Sequence, residues 1–335
     1  MNAPLVLRLN ALTSPMTDCE RMILAEAGCV VWEIEGEDEE EILTYAAAVD
    51  AVMIISAYLR RPVVEQMARC KIISRLGTGV DKIDIDAATD CGILVTNIPD
   101  FCTDEVADHT LALLLAAARQ LSMYDTAMRK GLRPALTHMH RLSTRSLGIV
   151  GYGRIGRAVA SRAKAFGMTV LVNDPLLTPV GAAADGVTVS TLDDLLPVVD
   201  YLCLLCPLLP TTRGMMTLES FRRMKPSAVL VNTGRGELVI EEDLVTALRE
   251  GSLRFAALDV FADINVFARG GFPTTHPLFT MPNILLTPHV AANSEEALAD
   301  APRRGAQAVV DVLSGHWPCY PVNPMVVPWF PIEVT

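Results

Sequence analysis

A glycine-rich hexapeptide carries the most specific chemical signal in this sequence. It reads Gly151-Tyr152-Gly153-Arg154-Ile155-Gly156, follows an apolar run at 147–150 and opens a helical pattern at 155–166. In a strand–turn–helix unit, Gly151 permits the tight turn, Gly153 lets a pyrophosphate approach the backbone, and Gly156 lets the helix pack on the strand. Because free amides and the helix dipole face such a turn, the pattern predicts a dinucleotide site.

An acidic residue stands where the ribose of such a nucleotide is bound. Asp174 ends the second strand of the unit, 23 residues after Gly151, and Pro175, Leu176 and Leu177 follow it. A carboxylate at this place accepts hydrogen bonds from ribose hydroxyls and repels a 2′-phosphate, and no arginine follows to accommodate that phosphate. The sequence therefore predicts NAD rather than NADP.

Two further side chains follow predicted strands and could carry acid–base chemistry. Arg235 follows the run at 228–232, and His289 follows the run at 284–287. Hydride transfer to a 2-keto acid needs a cation that holds the carboxylate and polarises the carbonyl, and an acid that protonates the forming alkoxide. The residue types alone also allow a strand-capping histidine and a structural arginine.

The elements that position these residues have an α/β pattern. Short apolar runs alternate with helical patterns in the first hundred residues, and the alternation restarts at Ser146. Between them a long helix is predicted at 103–121 and a polar loop at 129–144, and a last helix is predicted at 294–314. Such alternation predicts parallel sheets covered by helices.

Composition narrows the class of protein further. The 335 residues suggest two domains, and 28 basic against 39 acidic residues, a net charge of −11, argue against a nucleic-acid surface. No apolar run reaches the ~20 residues of a membrane-spanning helix, and no signal-peptide pattern opens the chain. The one CxxC pair, Cys203 and Cys206, lies in a predicted buried strand. We therefore expect core cysteines, no metal and a cytoplasmic protein.

Seven motifs follow one another in a recognisable order: 77–84, 106–110, 151–156 with Asp174, 206–208, 231–236, 257–260 and 287–289. Through these motifs the chain resembles the D-isomer-specific 2-hydroxyacid dehydrogenases over nearly its whole length. The stretches at 97–108 and 154–166 are most similar to the C-terminal-binding-protein branch of that family.

The resemblance implies a fold and an assembly. It implies an α/β protein of two doubly wound parallel-sheet domains, a flavodoxin-like substrate-binding domain over 1–101 and 294–335, and an inserted Rossmann NAD-binding domain over 102–293. It also implies a homodimer formed through the cofactor domains. The apolar helix segment at 111–118 is compatible with such an interface and equally with simple burial.

The resemblance also implies roles for individual residues. Arg235 would hold the substrate carboxylate and carbonyl, and His289 would be the general acid in reduction and the base in oxidation. Residues implied at the substrate carboxylate are Arg75, Gly77, Thr78, Gly79 and Val80. Residues implied at the cofactor are Gly151, Gly153, Arg154, Ile155, Gly156, Asp174, Cys206, Pro207, Thr212, Thr233, Gly234, Asp259 and Ala291. The implied reaction is hydride transfer between NAD(H) and a small 2-hydroxy or 2-keto acid.

One departure from the family pattern concerns the partner of His289. The family carries a glutamate five residues after the Asp259 position, where this chain has Ile264, and Asp263 is the nearest carboxylate. A carboxylate beside a histidine favours the imidazolium form. Without one, His289 is expected to be neutral at neutral pH, and reduction is expected to have an acid-shifted optimum unless Asp263 acts as a third catalytic residue.

Two other functions are compatible with this sequence. One is an NAD(H)-binding regulatory or scaffold protein, as the C-terminal-binding-protein likeness allows. The other is a dehydrogenase of a different small oxyanion, such as phosphite or a phosphonate. Because a pure sensor needs neither Arg235 nor His289, their joint presence favours an enzyme.

Overall fold

A computed structural model describes residues 3–36, 38–135, 139–267, 271–272 and 274–333. The chain divides into two units, one formed by Met1–Cys102 with Ser294–Thr335 and the other by Thr103–Asn293. Among the described residues, no helix is both long and apolar enough to cross a membrane.

Strands and helices alternate along both units. The strands are β1 (Leu5–Arg8), β2 (Val30–Glu33), β3 (Ala51–Ile54), β4 (Ile72–Arg75), β5 (Leu94–Thr96), β6 (Ser146–Val150), β7 (Thr169–Asn173), β8 (Thr188–Val189), β9 (Tyr201–Leu204), β10 (Val229–Asn232), β11 (Phe255–Leu258) and β12 (Ile284–Leu286). The helices are α1 (Asp18–Glu26), α2 (Glu39–Ala46), α3 (Arg61–Val64), α4 (Ile85–Asp90), α5 (Thr103–Arg119), α6 (Leu121–Arg129), α7 (Arg154–Ala165), α8 (Pro179–Ala184), α9 (Leu192–Leu195), α10 (Leu218–Arg223), α11 (Glu241–Glu250) and α12 (Glu295–Leu313). Short 3-10 turns cover Leu142–Thr144, Gly236–Leu238 and Pro277–Thr280.

Each unit contains one parallel sheet. The first sheet has the order β2-β1-β3-β4-β5, which is the flavodoxin-like order. The second has the order β12-β11-β10-β9-β6-β7-β8, the Rossmann order extended by one strand. The α/β prediction with two doubly wound parallel sheets is therefore confirmed.

The central strands are buried because helices cover both faces of each sheet. All four residues of β3, β9 and β10 are buried, as the continuous apolar runs predict. In the first unit α12 packs on β3 and β4, and Ser294 caps this helix by accepting a hydrogen bond from the Ala297 amide at 2.9 Å. In the second unit α5 packs against α7, β10 and β11.

The long helix predicted at 103–121 is interrupted. α5 ends at Arg119, Gln120 adopts a left-handed conformation with φ 52°, and α6 continues to Arg129. α6 was not predicted as a separate helix. None of its residues is buried, so its sequence needs no apolar stripe that would have indicated a helix. The predicted loop at 129–144 contains the end of α6 and one 3-10 turn, while its residues 136–138 lie outside the described residues.

Candidate functional site

The glycine-rich turn joins β6 to α7 at the switch point of the second sheet. Gly151 has φ +93°, and a Cβ there would lie 2.5 Å from the Cys206 amide nitrogen at the end of β9. A Cβ on Gly156 would overlap the carbonyl oxygen of Gly151. Both glycines are thus required by the backbone itself, as predicted for a tight turn and close helix packing.

Gly153 differs from its two neighbours. A Cβ there would meet no atom within 4 Å. Gly153 is also the N-cap of α7, where it has no side chain to cap the helix, and Arg154 and Ile155 begin that helix. The turn is therefore an open cradle of backbone amides at a positive helix end, which fits a dinucleotide pyrophosphate.

Asp174 lies directly after β7 beside this cradle. Its Oδ2 accepts a hydrogen bond from the Tyr152 amide at 2.7 Å, and its Oδ1 accepts one from the Leu176 amide at 2.8 Å. These two amides fix the carboxylate next to the glycine-rich turn, and each oxygen keeps a lone pair for a further donor. The position is the one expected for a ribose-binding acid.

The segment after β9 forms a tight turn beside Gly151. The Thr212 hydroxyl donates to the Pro207 carbonyl at 2.8 Å and accepts from the Leu209 amide at 2.8 Å. Burial raises the pKa of Cys206 to about 11 and that of Cys203 to about 12. Both thiols are therefore protonated near neutral pH, in keeping with core residues.

Thr233, Gly234 and Arg235 follow β10 in a hydrogen-bonded loop. The Thr233 hydroxyl lies 2.7 Å from the Thr110 hydroxyl of α5. Asn232 accepts from the Gly234 amide at 3.1 Å and donates its side-chain amide to the Arg235 carbonyl at 2.8 Å. The half-buried Arg235 donates from Nη1 to the Gly234 carbonyl at 2.7 Å.

Asp259 is fully buried at the end of β11. It accepts hydrogen bonds from the Thr287 hydroxyl at 2.6 Å, the Val290 amide at 3.0 Å and the Ala291 amide at 3.0 Å. Burial alone would raise the pKa of Asp259, but these bonds and His109 lower it below its ordinary value. An ionised carboxylate therefore holds the loop that carries His289, and Ala291 contributes to that loop through its amide.

His289 is exposed and has an unusual backbone. Its φ is +55°, a left-handed conformation that few residues other than glycine adopt. The amides of the next two residues are bound to Asp259, so that carboxylate helps to maintain this conformation. The imidazole contacts the Phe267 ring, with 5.2 Å between the ring centroids.

The position of the missing family glutamate is apolar and buried. Ile264 is 8% exposed. The neighbouring Asp263 is exposed, and its carboxylate is grouped with Glu241 and His276, with the ligand atoms of all three within 4.8 Å of one another. A role for Asp263 as the partner of His289 stays a prediction.

The predicted carboxylate-binding loop lies after β4 in the first unit. The Arg75 guanidinium lies over Gly77, where a Cβ would overlap it. The Thr78 carbonyl accepts from the Asn97 side chain at 2.7 Å, and its hydroxyl donates to the Ile98 carbonyl at 3.1 Å. Gly79 follows Thr78, and the Val80 carbonyl closes the loop by accepting a hydrogen bond from the Ile83 amide at 3.0 Å.

His109 and Thr110 were not predicted as site residues. His109 Nε2 lies 3.0 Å from the Thr287 hydroxyl and 3.4 Å from Asp259 Oδ1. Thr110 meets Thr233 as described above, so two adjacent residues of α5 support the loops after both β10 and β12. The motif at 106–110 contained these residues, but their partners are more than a hundred residues away.

The model of the family described as "D-isomer specific 2-hydroxyacid dehydrogenase, NAD binding domain" matches residues 111–291. This match covers more than half of the chain. The chain belongs to the D-isomer-specific 2-hydroxyacid dehydrogenase family. The second unit is therefore an NAD-binding domain, and the prediction of a nicotinamide dinucleotide is confirmed.

Similar curated proteins include two kinds of enzyme. The D-3-phosphoglycerate dehydrogenase of Methanocaldococcus jannaschii is 37% identical over 91% of this chain, and the chain spans 57% of that protein's length. The glyoxylate reductase of Thermococcus onnurineus is 36% identical over 88% of this chain and 89% of its own length. The chain thus spans little more than half of the phosphoglycerate dehydrogenases that it matches.

Solved structures with the same fold include enzymes that are named for 2-hydroxy or 2-oxo acids. A D-lactate dehydrogenase from Aquifex aeolicus, complexed with NAD and lactic acid, has a TM-score of 0.82 and 26% identity over 92% of this chain and 96% of its own. A glyoxylate reductase from Paecilomyes thermophila has a TM-score of 0.85 and 26% identity over 97% of this chain and 99% of its own. The finer likeness to the C-terminal-binding-protein branch is not confirmed.

Proposed function

We propose that this protein is an NAD-dependent oxidoreductase that transfers a hydride between NAD(H) and a small 2-hydroxy or 2-keto acid. The main support is the position of three groups in the second sheet. The cradle over Gly153, the loop with Arg235 and the loop with His289 all follow the carboxyl ends of parallel strands. In open α/β sheets this edge is where ligands bind.

The residues of this chain supply binding and proton transfer in the proposed reaction. Bound NADH supplies the hydride in reduction, and NAD⁺ accepts it in oxidation. The Arg235 guanidinium would hold the substrate carboxylate and polarise the keto oxygen. The His289 imidazole would donate a proton to that oxygen as the C–H bond forms, and would take the hydroxyl proton in the reverse direction.

Asp174 supports NAD over NADP. Its carboxylate is fixed beside the cradle by the Tyr152 and Leu176 amides, so it would accept from ribose hydroxyls and repel a 2′-phosphate. Leu176 is 92% exposed and offers no positive charge to that phosphate.

The names of the relatives support an acid substrate. Phosphoglycerate, glyoxylate and lactate in those names are all small 2-hydroxy or 2-oxo acids. This favours the dehydrogenase over a regulatory scaffold and over a phosphite or phosphonate dehydrogenase. We also propose that the first unit is the substrate-binding domain, with the carboxylate at 77–80, and that the protein is a homodimer.

The cellular compartment can be argued from the thiols. The described residues include all eight cysteines, and none of these forms a disulfide; four of the six in the first unit are buried or partly buried. Free thiols are typical of reducing compartments. This supports the cytoplasm as the place of action.

The experiment is NADH oxidation with a panel of 2-keto acids, from about pH 4.5 to 8.5 so that the histidine range is covered. The panel contains glyoxylate, pyruvate, hydroxypyruvate, phenylpyruvate and 2-keto-4-methylthiobutyrate, and D-3-phosphoglycerate with NAD tests the reverse direction. We expect turnover that is lost in His289→Ala. Tight NADH binding with no turnover on any acid would contradict the proposal.

The same assay decides the role of Asp263. If His289 lacks a carboxylate partner, reduction is fastest at acid pH, where the imidazole is protonated. If Asp263 substitutes for the missing glutamate, the optimum lies nearer neutrality and Asp263→Ala moves it towards acid. A neutral-to-alkaline limb that is unchanged in Asp263→Ala would exclude both ideas.

A further inference from the structure

A second group of chemically active side chains in the unit 103–293 lies apart from Arg235 and His289 in the sequence. Glu241 begins α11, Asp263 follows β11, and His276 precedes the 3-10 turn Pro277–Thr280. One ligand atom of each lies within 4.8 Å of the others. Three distant segments therefore bring two carboxylates and one imidazole to a single point.

Glu241 is the buried member of this group, with a side chain that is 2% exposed. Its Oε1 accepts a hydrogen bond from the Ala262 amide at 2.6 Å. Its Oε2 is inaccessible to solvent and has no hydrogen-bond partner among the described residues. A buried carboxylate oxygen without a donor is unfavourable and indicates that another group belongs beside it.

The distance to His276 indicates what that group is. His276 Nε2 lies 3.4 Å from Glu241 Oε2, which is longer than the ~2.7–3.2 Å of an N–H···O hydrogen bond. Two ligands bound tetrahedrally to a cation at ~2.1 Å lie about 3.4 Å apart. The gap between these two atoms therefore has the size of a shared zinc-like ion.

The surroundings of the group are acidic on the solvent side. Asp263 is exposed and opens onto a cleft of about 460 Å³. The cleft is lined by four carboxylates and one guanidinium. The carboxylates belong to Glu237, Glu241, Glu242 and Asp263, and the guanidinium belongs to Arg213. The negative balance favours entry of a cation and disfavours an anion.

We propose that Glu241, Asp263 and His276 form a binding site for one divalent cation of the zinc class. Imidazole nitrogen and carboxylate oxygen are both ligands of Zn²⁺, and three protein ligands leave the fourth position to water. Asp263 supplies its ligand from the exposed side, so the ion enters from the cleft and meets the buried oxygen of Glu241 last.

The histidine gives the site a distinctive spectroscopic signature. The Leu278 amide lies 3.4 Å from His276 Nδ1, a contact too long to fix which ring nitrogen carries the proton. A cation on Nε2 requires that nitrogen to carry no proton, so the ring proton is then on Nδ1. Metal binding therefore fixes the tautomer of one identifiable histidine.

The site also has a consequence for the proposed reaction. Asp263 and His276 flank the segment that contains Phe267, and the Phe267 ring contacts the His289 imidazole. A cation would tie Asp263, four residues before Phe267, to α11 and so restrain the position of Phe267 beside His289. This consequence rests on the proposed function, whereas the binding site itself does not.

The test is a zinc titration of the whole chain, stripped of metal, in competition with a chromophoric chelator. We expect one equivalent per chain, with affinity weakened about tenfold or more in Glu241→Gln, Asp263→Asn and His276→Gln. Glu241→Gln retains an oxygen for the Ala262 amide, and the exposed Asp263→Asn does not perturb the core. Glu242→Gln, on the same cleft but outside the group, is the matched control and should bind as the parent protein does.

A ¹⁵N NMR spectrum of the histidines provides the second readout, in which the zinc-bound protein should show His276 with its proton on Nδ1 and the metal on Nε2. The proposal is overturned if the parent protein binds no stoichiometric zinc, if all variants bind equally, or if His276 in the zinc-loaded protein still carries a proton on Nε2. In those cases Glu241 and His276 form an ion pair only. Neither readout depends on turnover, so a failure of the proposed dehydrogenase activity would leave this result intact.

Discussion

Gly153 offers the sharpest test of the cofactor cradle, because its space is open and the space of Gly156 is not. In Gly153→Ala the new methyl group meets no protein atom within 4 Å. Alanine is a poorer N-cap than glycine by roughly 0.5–1 kcal/mol, while the unfolded chain loses entropy worth about 0.4–1 kcal/mol. These effects nearly cancel, so the free energy of unfolding should change by less than about 1 kcal/mol.

Cofactor binding should respond very differently to the same methyl group. If a pyrophosphate lies on this turn, the methyl group occupies the space that the phosphates need. Overpacking of this kind costs about 1–3 kcal/mol, which corresponds to a loss of NADH affinity of roughly 5- to 150-fold. Gly156→Ala should differ from Gly153→Ala because it lowers the free energy of unfolding. Its Cβ would overlap the Gly151 carbonyl oxygen of the protein itself.

Two measurements separate these effects. Urea unfolding gives the free energy of unfolding, and energy transfer from the three tryptophans to bound NADH gives the affinity. Gly181→Ala, in the first turn of α8 and in the same unit, is the control for glycine replacement near a helix start. A Gly153→Ala protein that is stable and binds NADH as tightly as the parent would refute the assignment of the cradle.

Three further predictions concern the remaining site residues. Asp174→Ser should raise the kcat/KM ratio of NADPH to NADH about tenfold or more, because the repelling carboxylate is gone, and an unchanged ratio would contradict its role. His289→Asn should lower kcat by ~10²–10⁴ while NADH affinity is retained, because asparagine tolerates the left-handed backbone but cannot act as the acid or base. Full turnover in this variant would exclude acid–base catalysis by His289. Asp259→Asn should lower the free energy of unfolding by about 3 kcal/mol, as measured in urea, because an amide cannot accept all three donors of the His289 loop. Because the folded-state pKa of Asp259 lies below its ordinary value, its stabilisation is present above the unfolded pKa of ~3.9 and is lost as pH falls through the folded pKa. The two proteins should therefore converge in stability in acid, and a constant difference would contradict this account.

The features that could be predicted from the sequence are those that short-range patterns encode. The strand–turn–helix at 146–165 and the buried strands have short-range periodicity that needs no knowledge of partners. The boundary between α5 and α6 was not predictable in this way, because Gln120 has no side-chain feature that demands φ 52°. α6 buries no residue, so no apolar stripe marks its extent.

The site was predictable only where function leaves a motif. Gly151, Asp174, Arg235 and His289 belong to motifs that can be recognised one at a time. The support from His109 and Thr110 depends on contacts with residues 287 and 233, which only the fold brings close. The same holds for Glu241, Asp263 and His276, whose spacing of 22 and 13 residues matches no metal-binding motif.

The contact between Thr110 and Thr233 has a consequence for the polarity of the site. The Thr110 hydroxyl donates its single hydrogen to the Val106 carbonyl at 2.6 Å, so in the 2.7 Å contact the hydrogen must come from Thr233. Thr233 has then used its only hydrogen and presents lone pairs alone to anything bound beside it. A ligand group that reaches this threonine must bring its own donor, such as the NH₂ of a carboxamide, and a carbonyl oxygen turned the same way would be repelled. The direction of one buried hydroxyl hydrogen thus distinguishes the NH₂ end of an amide group from its carbonyl end.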